Sequence, residues 1–166
     1  MIRIGLLSDT HGYLDEKIFE YFEECDELWH AGDIGSVEVF DTLDAFKPTK
    51  AVYGNIDGGV LRQHLPLDLH WEESGMRIWM THIGGYPGRY NQRVRAELEA
   101  ASPDIFICGH SHILKVMGDK QHDLLHINPG ACGNHGFHQV KTIIRFSIDA
   151  GAVKDMEVIE LGMRGR

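Results

Sequence analysis

Apolar positions follow two rhythms along this chain. The opening Ile2-Arg3-Ile4-Gly5-Leu6-Leu7 is a short apolar run stopped by Ser8-Asp9-Thr10-His11-Gly12, the pattern of a strand and its turn. Residues 15–24 change to helical spacing, with Ile18 and Phe22 four apart. A second strand over 27–31 ends in Gly32-Asp33-Ile34-Gly35. Ser36 is placed to cap a helix whose Val39, Phe40, Leu43 and Phe46 share one face, and Pro48 stands where that helix should already have ended. A third strand over 50–53 runs into Gly54-Asn55. Alternating strands and helices predict a parallel sheet built from βαβ units.

Beyond residue 66 the pattern is richer in strands. Runs at 67–72 and 76–81 flank Glu73-Ser74-Gly75, which predicts a hairpin, and Tyr90, Val94 and Leu98 form the stripe of a helix over 89–101. An apolar strand at 104–108 leads into Gly109-His110-Ser111-His112, and strands follow near 113–119, 122–128, 140–148 and 152–160. This order predicts an α/β (α+β) fold of two packed β-sheets with helices outside. Neither a linker nor an internal repeat interrupts it, so residues 1–166 read as a single domain.

Five polar clusters share one placement, each just past the carboxyl end of a predicted strand: Ser8 to Gly12, Gly32-Asp33, Gly54-Asn55, Thr81-His82 and Gly109 to His112. Ligand sites of open α/β sheets form along that edge. The clusters supply Asp9, His11, Asp33, Asn55, His82, His110 and His112. With one carboxylate bridging, seven side chains make two sets of four, which is too many for one zinc ion and suits a pair of cations. Mixed oxygen and imidazole donors point to two divalent ions from the series Mn, Ni, Fe, Co and Zn, manganese foremost, rather than calcium.

Charge narrows the substrate. Asp and Glu outnumber Lys and Arg by 25 to 16, for a net charge of −9. Polymeric nucleic acid, which is held by phosphate neutralisation, is therefore not an expected partner. A small phosphodiester or nucleotide-like substrate remains, because two divalent cations against two carboxylates leave a positive site. The three cysteines, Cys25, Cys108 and Cys132, are widely spaced and suit a reducing compartment. With no membrane-length apolar run, the expected location is cytoplasmic, without a membrane partner; association into a homo-oligomer is compatible with the composition.

The ordered series D-x-H, G-D, G-N, H and G-H-x-H resembles the calcineurin-like metallophosphoesterase superfamily, in particular its small YfcE-like phosphodiesterase branch. The resemblance runs from residue 2 to about 130. It implies a four-layer sandwich of two mixed sheets flanked by helices. It also implies one cation held by Asp9, His11, Asp33 and His112 and a second held by Asp33, Asn55, His82 and His110. The chemistry expected of such a pair is phosphoester hydrolysis by in-line attack of a metal-bridging hydroxide. The same fold also serves a retromer subunit as a protein-binding scaffold with degraded ligand positions, which is the alternative function.

Two departures from the pattern matter. Ile56 stands where many members carry a His that protonates the leaving group, and Ile83-Gly84 stands where relatives often show Gly-His. His135 and His138, in the glycine-rich loop after Asn128-Pro129-Gly130, are the candidate replacements for the missing acid. Arg89 and Arg93 are candidates for reaching a substrate phosphate, although the predicted helix also places them on a solvated face.

Overall fold

The computed structural model describes residues 1–165. Two five-stranded mixed sheets dominate it. In the first, β1 (Ile2–Leu7), β2 (Glu27–His30) and β3 (Thr49–Ala51) run parallel, while β11 (Val140–Asp149) and β12 (Ala152–Met163) add antiparallel on the other side of β1, giving the order β12-β11-β1-β2-β3. The second has the order β4-β5-β8-β10-β9, from β4 (Asp68–Glu73), β5 (Met76–Thr81), β8 (Ile105–Ile107), β9 (Leu114–Asp119) and β10 (Leu124–Pro129). Its three central strands are parallel, and β4 and β9 close the edges antiparallel.

Side-chain alternation along the strands builds four layers. Ile4 and Leu6 of β1, Trp29 of β2 and Ile144, Phe146 and Ile148 of β11 meet Ile78, Met80, Ile105, Ile107 and Ile127 from the second sheet. The opposite face of the first sheet packs through Leu7, Leu28 and Ile143 onto α1 (Lys17–Tyr21), α2 (Val37–Phe46) and α3 (Gly59–His64) by way of Ile18, Val39, Leu43 and Leu61. On the far side Trp79 and Phe106 cover Val94 and Leu98 of α4 (Gln92–Ala101). The result is a four-layer sandwich, helix–sheet–sheet–helix, as the resemblance implies.

Local chemistry accounts for most boundaries. Ser36 Oγ accepts from the Val39 amide at 3.3 Å and starts α2. Asn91 Oδ1 accepts from the Arg93 amide at 3.0 Å, so α4 begins three residues later than its stripe suggests. The displaced residues form a small hairpin, β6 (Gly85–Tyr86) and β7 (Arg89–Tyr90), absent from the sequence reading. The short helix α3 also escaped it, because Gly58 caps it without a side-chain bond. Among the described residues no helix is long and apolar enough to cross a membrane.

Candidate metal centre

The five polar clusters do follow the carboxyl ends of β1, β2, β3, β5 and β8, but these strands belong to two sheets rather than one. The sheets pack face to face, and loops from both meet at one end of the sandwich. Asp9, His11 and His112 form one group of potential ligands there, and Asp33, His82 and His110 form a second. Asn55 joins the second group, with its Oδ1 lying 3.0 Å from His110 Nδ1. All seven residues singled out in the sequence are thus brought together.

Backbone strain is concentrated in them. Asp9, His11, Asp33, His110 and His112 all have positive φ, between 47° and 71°. Left-handed backbone is uncommon for residues with a side chain and persists where surrounding structure over-determines it, often at functional sites. Glycine is required beside them by close approach. A Cβ on Gly54 would collide with the Asp33 carboxylate and amide, and one on Gly32 would meet the His82 ring.

Each carboxylate has one oxygen fixed and one aimed at the cluster. Asp9 Oδ2 accepts from Ser8 Oγ at 2.7 Å and from the His110 amide at 3.1 Å, while Asp33 Oδ1 accepts from the Ile56 amide at 3.0 Å. Asp9 Oδ1 and the Nε2 atoms of His11 and His82 are buried with no hydrogen-bond partner among the described residues. His82 Nδ1 lies 2.8 Å from the Ala31 carbonyl. That oxygen can only accept, so Nδ1 carries the proton and the Nε2 lone pair faces the cluster.

These groups fit a pair of cations. His82 Nε2 is 3.1 Å and His11 Nε2 3.4 Å from Asp33 Oδ2, and His112 Nε2 is 3.2 Å from Asp9 Oδ1. Donors bound at about 2.1 Å stand roughly 3.0 Å apart along an octahedral edge and roughly 3.4 Å apart along a tetrahedral one. Buried polar atoms crowded together without hydrogen-bonding one another are costly unless a cation satisfies them. Asp33 touches both groups, as a shared ligand must.

Titration follows the same geometry. Burial pushes the Asp9 carboxyl up, but the imidazoles of His11 and His112 outweigh it and hold it well below the carboxylate range. Burial also opposes ionisation of Asp33, and the adjacent His82 ring keeps its pKa lowered. His82 is raised: burial disfavours its charge, and Asp33 and Asp9 more than compensate. Among the cysteines, burial pushes the thiols of Cys108 and Cys132 up to about 12, so neither supplies a nucleophile.

Residues 2–151 match the calcineurin-like phosphoesterase superfamily domain. The chain belongs to that superfamily. It is 31% identical over 134 residues to a probable metallophosphoesterase of Methanocaldococcus jannaschii, covering 77% of this chain and 67% of that one. A solved archaeal phosphodiesterase has the same fold, with TM-score 0.76 and 24% identity over 96% of this chain and 100% of that one. Vps29 of Entamoeba histolytica, solved in complex with zinc, follows with TM-score 0.74 and 17% identity over 96% of this chain and 99% of that one.

Within this superfamily site, Asp57 is a positioning residue the sequence reading passed over. It is 3% exposed, and its carboxylate accepts from the amides of Ile34 at 3.1 Å, Gly35 at 2.9 Å and Gly54 at 2.8 Å. It thereby ties the Asp33 loop to the Asn55 loop. An Asp two residues past a Gly-Asn turn was the available signal. Asp57→Ala should cost about 2–4 kcal/mol in urea unfolding, because three buried amides lose their acceptor. It should also weaken metal binding roughly 10–100-fold in a chelator competition, as loss of an outer support does. Unchanged stability and affinity would contradict this role.

His30 is a core residue that supports the same loop. Its Nδ1 accepts from the Gly32 amide at 3.1 Å, its Nε2 lies 3.0 Å from Thr10 Oγ1, and that hydroxyl donates to the Ile34 carbonyl at 2.8 Å. The Gly32 bond requires a neutral ring. His126, on β10, is wholly buried against Phe106 and Tyr90. Burial pushes both rings down from 6.5 to about 4. The unfolded chain therefore binds protons below pH 6.5 that the folded chain refuses until about pH 4. Stability is complete above that window and falls through it as pH drops, by roughly 3 kcal/mol per ring. Urea unfolding at pH 7.5 and 4.5 checks this, and equal stabilities would contradict it.

The glycine-rich loop brings both candidate acids to the Asp9 side. His135 lies 4.9 Å from His11 and His138 lies 5.2 Å from His112, measured between ring centroids. His138 Nε2 donates to the Gly133 carbonyl at 2.8 Å, which commits that proton. Arg93 does not simply line a solvated face: it bonds Asp68 Oδ2 at 2.8 Å and Thr81 Oγ1 at 2.9 Å, beside His82. Arg89 lies exposed on β7.

Proposed function

We propose that this chain is a phosphodiesterase that works with two divalent cations held by Asp9, His11, Asp33, Asn55, His82, His110 and His112. The observation that carries this reading is the convergence of two carboxylates and four imidazoles on one point, with Asp9 Oδ1, His11 Nε2 and His82 Nε2 buried and unpartnered among the described residues. Bound there, divalent cations supply Lewis-acid stabilisation of phosphoryl oxygens and acidify water to a pKa of about 7.

The chain's own residues do the rest. Asp9 and Asp33 stay ionised and balance part of the cationic charge, leaving the site positive towards a phosphate. The Ala31 carbonyl fixes the ring of His82, and the Ser8 hydroxyl and His110 amide fix the carboxylate of Asp9, so little reorganisation accompanies reaction. Cys108 and Cys132 are locked as neutral thiols, which argues for direct transfer to water rather than a covalent thiol intermediate. The archaeal phosphodiesterase of the same fold supports a diester as substrate. Manganese is the first choice among Mn, Ni, Fe, Co and Zn, and the cytoplasm the proposed location.

The alternative, a protein-binding scaffold, keeps the fold without the chemistry; the likeness to Vps29, itself solved with zinc, is one of fold alone. Intact donors at all seven positions favour the enzyme. The test is hydrolysis of bis-p-nitrophenyl phosphate after loading with Mn, Ni, Co, Zn or Mg. Metal-dependent release of nitrophenol supports the proposal, and a metal-saturated protein that hydrolyses neither diesters nor monoesters rules it out.

A further inference from the structure

One cleft beside the metal centre is left unused by that account. It measures about 260 Å³ and opens next to His82 and Asn55, between α3, the start of β4 and the start of α4. Its walls are Tyr53, Leu67 and Ile83, with Arg62, Asn91 and Arg93 at fixed positions around them. Leu67 and Ile83 are 42% and 36% exposed, so apolar surface is held open here against the hydrophobic effect.

Arg62 is held as a plate rather than as a loose cation. Its Nε donates to the Asp57 carbonyl at 2.7 Å and its Nη2 to the Asn55 carbonyl at 3.2 Å, and the guanidinium lies over the Tyr53 ring, 4.7 Å from the centroid. Arg93 is held by Asp68 and Thr81. Asn91 Oδ1 is taken by the Arg93 amide. Apolar walls, a guanidinium immobilised on an aromatic ring and a few anchored polar groups are how proteins receive planar rings, by packing, stacking and cation–π attraction. An anion alone would gain little from walls that are mostly aliphatic. The volume falls below the ~300–1,000 Å³ of drug-sized pockets, which suits one ring system.

We infer that this cleft is the recognition subsite for an aromatic ester group, so that Tyr53, Arg62, Leu67 and Ile83 set a preference for nucleoside or aryl phosphodiesters over small alkyl ones. The inference rests on the phosphoesterase reading above and names the substrate class of that same site. The phosphate would sit at the metal centre and the ring in the cleft, joined past Asn55 and His82.

Binding tests it without turnover. The manganese-loaded protein is titrated calorimetrically with adenosine 5′-monophosphate and with ribose 5-phosphate, which share the phosphate and sugar and differ by the base. The nucleotide should bind about tenfold tighter, the scale of one stacked ring. Arg62→Met, which keeps the stem and loses the plate, and Leu67→Asp, which puts a charge into the apolar wall, should each bring the two affinities within about twofold of one another. Equal affinities in the unsubstituted protein, no measurable nucleotide binding, or a preference that survives both substitutions overturns the inference.

Turnover separates this from the parent reading. Methyl and phenyl esters of p-nitrophenyl phosphate share a leaving group, and the ratio of their kcat/KM should favour phenyl and fall towards one in the variants. Hydrolysis of both at equal rates removes the cleft assignment and leaves the phosphoesterase intact. Tenfold nucleotide preference in a protein that hydrolyses no ester leaves the ring site and removes the hydrolase.

Discussion

Replacing Asp33 with Ala is expected to lower kcat/KM for a chromogenic diester by about 1000-fold or more, a larger loss than removing one preorganised donor usually causes. The reason is position. Asp33 Oδ2 lies 3.4 Å from His11 Nε2 and 3.1 Å from His82 Nε2, so the same carboxylate oxygen serves both ligand groups. Without it two buried imidazole nitrogens lose their neighbour, and the proposed pair of cations would lose the negative charge between them. The fold should survive, because β1, β2 and β3 keep their pairing and, among the described residues, the carboxylate accepts one backbone hydrogen bond, from Ile56. Steady-state kinetics with manganese, alongside circular dichroism to confirm folding, checks the prediction. Activity within tenfold of the unsubstituted protein would contradict a shared ligand at this position.

Leaving-group chemistry should produce the second large effect. Ile56 is 48% exposed at the place where many superfamily members carry an acid, and it has no proton to give. An alkoxide leaves poorly unless protonated, and general acid catalysis is typically worth about 10²–10⁴-fold. Diesters with phenolic leaving groups should therefore be hydrolysed about 10²–10⁴-fold faster than alkyl diesters beyond the ordinary difference between them, with log kcat falling steeply as leaving-group pKa rises. The measurement is a series of diesters with one constant ester and graded phenols and alcohols. A flat dependence would contradict the prediction and identify a proton donor, with His135, exposed against His11, the residue to substitute next.

Why so much of the site could be read in advance is visible in the residues themselves. Metal-centre chemistry needs Asp, His and Asn on loops after strands, and the apolar runs that end at Leu7, His30 and Thr81 mark where those strands stop. The glycines that punctuate them, Gly32 and Gly54, are forced by contact with His82 and Asp33, so local turn signals and the site share a cause. The division of the loops between two sheets was less accessible. It depends on β11 rather than a further parallel strand pairing with β1, a contact about 140 residues away in sequence that no local pattern encodes.

Elements with weak local signals were lost in the same way. Helix α3 has no side-chain cap, and the β6–β7 hairpin is two residues per strand, too short to show a period. Asp57 acts through three amides from two loops, and its spacing from Asn55 alone does not show what it will bond. His126 reads as an unsupported polar residue in sequence, yet Phe106 and Tyr90 bury it as an aromatic. Tertiary packing decided each of these.

Metal counting tests most directly whether these seven side chains hold a pair of cations. Native mass spectrometry of the manganese-loaded chain should show two ions per chain, falling to one or none in the Asp33→Ala variant. A loaded, folded chain that binds one ion or none, or a variant that still carries both, would contradict the account.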